Sequence, residues 1–322
     1  MHIICCVLIS AKKTECMNKK WTTVTIIVLL LVLTGYIVID IVMRKKIPQG
    51  SPVTEEASGV ADQWIVTKIF EPGKGQLNAV TVSGNGTIFL GGETFITSYD
   101  SGFNLIWEYK TEKTVTALAV SGNYVYAAVQ EIIMVLNMEG EKVEEWGPFE
   151  NNSMITSVAS NESYVAFADA ANKTVFILDK KGIVKSLIGT SEEPFIIPSL
   201  YFDVAFDSDN AVYVANTGNR RIEKRNTDGK VLDYFGQPGT DPGAFCGCCN
   251  PAHFIRIPGG FVTAEKGINR IKILNDKGDF VEFVSSVNNF VPPLPLDIAS
   301  PDGKIIYGVN PADSKLYVFN RK

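Results

Sequence analysis

The feature that most constrains what this chain can fold into is a strand pattern that returns six times after residue 64. A first short strand reads AVTV at Ala79, ALAV at Ala117, SVAS at Ser157, DVAF at Asp203, HFIR at His253 and DIAS at Asp297, at intervals of 38 to 50 residues. A second follows each: TIFLGG from Thr87, YVYAAV from Tyr124, YVAFAD from Tyr164, AVYVAN from Ala211, FVTAE from Phe261 and IIYGVN from Ile305. In five copies a third strand runs into a turn of one kind, YDSG at Tyr99, NMEG at Asn137, DKKG at Asp179, NTDG at Asn226 and NDKG at Asn275. Asp or Asn can bond its own turn backbone and Gly supplies positive φ, which is the chemistry of a tight hairpin. Fourth strands such as LIWEY and KVEEW follow. No stretch here keeps a helical period. A four-stranded unit of this length cannot bury both faces alone, so six of them predict an all-β, six-bladed β-propeller.

The sixth copy ends at LYVFNRK with no fourth strand, while WIVTKIF, Trp64 to Phe70, precedes the first complete copy without a partner. Pairing these two segments closes the ring and leaves no large open sheet edge. The expected propeller therefore spans residues 64–322.

The fourth copy, FDVAFDSDNAVYVANTGNRRIEKRNTDGKVLDYFG from Phe202 to Gly236, resembles the NHL-repeat family in its V-A strand, its V-Y-V-A-N-T-G-N-x-R run and its D-G turn. The fifth, FVTAEKGINRIKILNDKGDFVEFV, is similar, with Glu265, Asn269 and Arg270 in the places of Asn216, Asn219 and Arg220 or Arg221. In the first three copies only Asp169 echoes the acidic position. The resemblance extends over about residues 64–322. Some bacterial NHL-repeat proteins also look similar at the C-C-N-P-x-H loop. The likeness implies a propeller serving as a ligand-binding module or interaction platform, and in some members as a lyase or hydrolase.

Ahead of the propeller lies WTTVTIIVLLLVLTGYIVIDIVM, Trp21 to Met43, whose one charge is Asp40. Lys19 and Lys20 precede it and Arg44, Lys45 and Lys46 follow. As a helix it would reach about 34 Å, enough for a bilayer core of about 30 Å. Basic residues at both ends are those of interfacial anchors. The stretch exceeds the apolar core of a cleaved leader. The sequence thus reads as a tail (residues 1–20), a transmembrane anchor (21–43), a juxtamembrane linker rich in Pro, Gly, Ser and acids (44–63), and a propeller outside the cytoplasm. Met17 is an alternative start. A net charge of −5 and a pI near 5.3 provide no basic field for phosphates, so nucleic acid is not an expected partner.

AFCGCCNPAHF, Ala244 to Phe254, concentrates candidate chemistry in the longest connection between a fourth strand and the next first strand. Cys246, Cys248, Cys249 and His253 would satisfy zinc or another thiophilic metal. A disulfide or a reactive thiol fits the same residues, because the spacing is that of no familiar zinc motif. His253 opens an innermost strand, with Asp203 and Asp297 at the equivalent positions of neighbouring copies. These three, with Glu265 and Arg270, are the expected ligand-binding residues for a small molecule or protein at the channel mouth. A multi-histidine zinc site cannot form from the one histidine of the domain, and no G-x-S-x-G elbow is present. The enzyme alternative is a metal or redox centre on the cysteine cluster.

Overall fold

The computed structural model describes residues 24–35, 61–190, 193–247, 250–267, 269–286, 290 and 294–322. Two compact units are distinguished, residues 1–54 and 55–322. In the first, residues 24–35 are helical and their aliphatic side chains are exposed, from 51 % at Ile27 to 67 % at Leu31. Among the described residues no helix is long and apolar enough to cross a membrane. The remainder of the expected span, 21–23 and 36–43, lies outside the described residues, as does the linker up to residue 60.

The second unit is the six-bladed propeller. Its described strands form six four-stranded antiparallel sheets, five of them made of consecutive strands. The innermost strands are β2 (Leu77–Val82), β6 (Val115–Ser121), β10 (Ile155–Ser160), β14 (Val204–Phe206), β18 (His253–Ile257) and β22 (Asp297–Ala299). The sixth sheet is composite: β1 (Trp64–Phe70) pairs with β24 (Lys315–Arg321), from Trp64 opposite Arg321 to Phe70 opposite Leu316. The lone N-terminal strand thus closes the ring as the repeat requires.

The turn chemistry recurs as expected. The Asp or Asn of each turn accepts from backbone amides two or four residues on: Asp100 from Gly102 and Asn104, Asn137 from Glu139 and Glu141, Asp179 from Lys181 and Ile183, Asn226 from Lys230, and Asn275 from Lys277 and Asp279. The glycine that follows has a second task. Gly140 and Gly182 have φ of +85° and +75°, and a Cβ on either would run into the Trp107 or Trp146 indole of the preceding blade. An outer-strand aromatic therefore seats on the next blade's turn glycine, and this explains why fourth strands that otherwise face solvent retain a large ring. Six apolar clusters fill the spaces between adjacent blades.

Candidate functional site at the central channel

Six residues hold equivalent positions near the starts of the inner strands. These are Ala79, Ala117, Ser157, Asp203, His253 and Asp297. Two of the six, Ala79 and Ala117, carry only a methyl group, and the other four are polar. All but Ala79 line a cavity of about 450 Å³ bounded by all six inner strands.

The polar arc is tied into the fold. Asp203 Oδ2 accepts from the Phe254 amide of the next blade at 2.7 Å, and Asp297 Oδ2 accepts from the Val80 amide, also of the next blade, at 2.7 Å. Asp203 Oδ1 accepts from the Ser157 hydroxyl and from its neighbour's amide, Val204 N, at 2.9 Å. Blades two and three make the same kind of tie with a different residue: Thr116 Oγ1 donates to the Ile155 carbonyl at 2.6 Å and Thr156 Oγ1 to that of Phe202 at 2.7 Å. His253 is the exception. Its Nδ1 lies 3.7 Å from Asp203 Oδ2 and 3.7 Å from Asp297 Oδ1, and its side chain keeps 19 % exposure towards the lumen. Tyr201 stands edge-on to it, with ring centroids 6.4 Å apart. Two carboxylates therefore share one imidazole that is held by neither at hydrogen-bonding distance.

Burial alone would lower the His253 pKa, but contact with Asp203 and the charge of Asp297 prevail and leave it above the ordinary histidine value. For Asp297 burial dominates and pushes the carboxyl up to about 6; the Asp203 charge adds to the rise, while His253 and the Val80 amide oppose it. As pH rises, Asp297 loses its proton and then His253 does, so the arc grows more negative.

Glu265 and Arg270 are brought to a different place. Glu265 is 1 % exposed and Arg270 4 %. Glu265 Oε1 accepts from Arg270 Nε at 2.8 Å and from Lys272 Nζ at 3.1 Å. Arg270 also donates to the carbonyls of Thr240, Asp241 and Ala244, and Lys272 to that of Ala244 at 2.6 Å. These charges hold the chain's own connecting loop and do not line the channel cavity. Blade four repeats the device, with Glu223 taking Arg225 and Arg221 while Arg225 reaches the Gly229 and Glu193 carbonyls. Asp169, Asn216 and Glu265 each accept from one amide of such a loop, Met154, Ile196 and Cys246. The arginines of the repeat are thus ties between loop and blade.

In the cysteine loop, Asn250 Nδ2 donates to the Cys246 carbonyl at 2.7 Å and stands 3.5 Å from Cys246 Sγ, and Arg220 donates to the Gly247 carbonyl. Cys248 and Cys249 lie outside the described residues. Among the described residues no group of three or more His, Cys, Asp or Glu has the arrangement of a metal site. Phe290 is buried against Tyr317, with ring centroids 5.0 Å apart, and Leu296 is buried too, so both belong to the core. Ser157 was the polar member of the arc that sequence reasoning passed over, although the repeat alignment places it level with Asp203.

No family model matches the chain, and no curated protein matches it. Solved structures do. A streptogramin B lyase is 14 % identical over 80 % of this chain and 98 % of its own, with a TM-score of 0.59. A catalytically inactive virginiamycin B lyase from Staphylococcus aureus, solved with quinupristin, is 15 % identical over 78 % and 83 %, with a TM-score of 0.56. The Neurospora crassa Pan2 WD40 domain is 8 % identical over 81 % and 97 %, with a TM-score of 0.55. Similarity at this level shows a shared propeller fold, one that hosts lyases and WD40 domains alike.

Proposed function

We propose that the protein is a ligand-binding β-propeller whose site is the arc Ser157, Asp203, His253 and Asp297, and that it takes a small molecule presenting a positively charged nitrogen. The observation that carries this reading is the pair of tied-down carboxylates flanking one loosely held imidazole on the wall of a 450 Å³ cavity. The volume suits a small ligand, the apolar wall of Val80, Val82, Ala117 and Leu118 suits its apolar body, and the acidic arc suits its cation. The test is calorimetry of the full chain in detergent with 1,4-diaminobutane and benzylammonium as probes. Binding is expected to tighten about tenfold from pH 5 to pH 8 as negative charge builds on the arc. Asp297→Asn, which keeps an acceptor for the Val80 amide, should weaken that pH dependence and leave only the part that His253 contributes. Absence of binding by both probes, or an unchanged profile in the variant, refutes the reading.

The membrane reading belongs to the same proposal. A helix with aliphatic side chains exposed on all sides is unfavourable in water and is satisfied by lipid. With residues 21–23 and 36–43 it would make a single-pass anchor holding the propeller outside the cytoplasm. The chain is expected to stay in the membrane pellet through an alkaline carbonate wash, with the propeller cleaved by protease added to intact cells. Release by carbonate, or full protection, counts against it. The cysteine alternative, a thiophilic metal or redox centre on Cys246, Cys248, Cys249 and His253, competes with the engagement of His253 by Asp203 and Asp297.

A further inference from the structure

Beside Ser160, the last residue of β10, one amine stands without a counter-charge among the described residues. Lys180 lies in the turn between β12 (Thr174–Asp179) and β13 (Val184–Ile188). Its Nζ donates to Ser160 Oγ at 2.6 Å, stands 3.5 Å from the Tyr126 hydroxyl and lies 4.9 Å above the Tyr126 ring centroid. Tyr126 belongs to β7 (Tyr124–Val129) of the preceding blade, so the amine is clamped between two blades. Ser160 donates its own proton to the Tyr164 carbonyl at 3.3 Å, which leaves its lone pairs to Lys180, and it lines the channel cavity. The adjacent Asp179 is taken by Lys185 at 2.8 Å and by the amides of its own turn. Among the described residues no carboxylate lies within ion-pair distance of Lys180.

We propose that Lys180 is a covalent acyl-acceptor site, a half-buried amine held between the Tyr126 ring and the Ser160 hydroxyl that takes an acyl group from an activated ester or thioester. Two effects oppose each other on this amine. Attraction of the ammonium to the tyrosine ring favours the charged form. Burial without a counter-charge is the stronger and pushes the pKa down to about 8. A large share of the amine is therefore neutral in mildly alkaline water, and its lone pair is free to attack. In the reaction the Nζ–C bond forms, the C–O or C–S bond to the leaving group breaks, the leaving group keeps the electron pair, and the proton shed by nitrogen passes to water. This chemistry is independent of the ligand proposed for the arc of Ser157, Asp203, His253 and Asp297.

The full chain in detergent is reacted with limiting N-hydroxysuccinimidyl acetate, and the acetylated lysines are mapped by peptide mass spectrometry. Lys180 is expected to react at least about tenfold faster than the exposed Lys181 beside it at pH 7.5, and its rate should level off above pH 8. The preference should disappear when the same reaction is run in concentrated urea, which removes the blade contacts. Ser160→Ala should keep most of the preference, since burial creates the neutral amine. Equal or slower labelling of Lys180 in the folded chain, or a Lys180 rate that still climbs through pH 10, overturns the proposal.

Discussion

Replacing Glu265 by alanine is expected to lower the melting temperature of the propeller by on the order of 10 °C. The carboxylate is the common acceptor for Arg270 and Lys272, and both cations are buried. Removing one partner of a buried pair costs about 3–5 kcal/mol, chiefly because the remaining charge has neither water nor counter-ion. For a domain of this size each kcal/mol moves the melting temperature by about 2–4 °C. Here two charges are orphaned at once. Glu265→Gln should fall close to alanine, because the amide accepts a hydrogen bond but carries no charge; wild-type stability for Gln would show that shape, not charge, holds the loop.

The same cluster sets a pH dependence with a definite sign. Burial first, and the Arg270 charge after it, push Lys272 down to about 8 against the pull of Glu265. An unfolded lysine keeps its proton to about pH 10.4, so between pH 8 and 10 the unfolded chain binds the extra proton. Stability then rises with pH through that window, by at most about 1.4 kcal/mol per unit, and the penalty is complete below pH 8. Comparing denaturant unfolding of the wild type and Lys272→Met across pH 7 to 10 isolates this group. The rise should be smaller in the variant, the remainder coming from Lys180, which burial also pushes down to about 8.

The blade count, the strand starts and the closing partner were legible because each follows from local pattern: alternation fixes which residues hold equivalent positions, and Asp/Asn–Gly turns mark the hairpins. Asp203, His253 and Asp297 fall on one ring for the same reason. Glu265 and Arg270 were legible as special residues but not in their role. Spacing places them beside the cysteine loop, whereas the direction of the carboxylate depends on Lys272 and on carbonyls up to thirty residues away. Lys180 left no signal, because its environment comes from Tyr126 of another blade, 54 positions earlier. A lysine in an Asp-Lys-Lys-Gly turn reads as solvated until the neighbouring blade is in place.

Deleting residues 63–70 from the propeller unit is expected to abolish its cooperative unfolding transition, while moving the same residues to the C-terminus should preserve it. β1 joins three blades. It pairs along β24 of the sixth, Trp64 Nε1 donates to Glu282 of the fifth at 2.9 Å, and Phe70 packs on Tyr99 and Phe103 of the first, with centroids 5.0 Å apart in each case. Full burial of one large apolar side chain contributes about 1.5–3 kcal/mol, and each net hydrogen bond about 1 kcal/mol. The loss therefore approaches the 5–15 kcal/mol by which domains are stable at all, and it bares both β24 and the edges of two interfaces. The rearranged chain separates chain order from pairing. Trp64 lies opposite Arg321 and the Lys322 amide donates to the Gln63 carbonyl at 2.9 Å, so Lys322 and Gln63 are placed to be joined by a two-residue Asn-Gly turn of the hairpin type. A chain that starts at Glu71 and runs through Lys322, that turn and residues 63–70 keeps every contact of β1 with its three blades. If the deletion melts as cooperatively as the parent, closure by β1 is dispensable; if the rearranged chain fails to fold, the strand acts through its N-terminal position and not through the pairing that closes the ring.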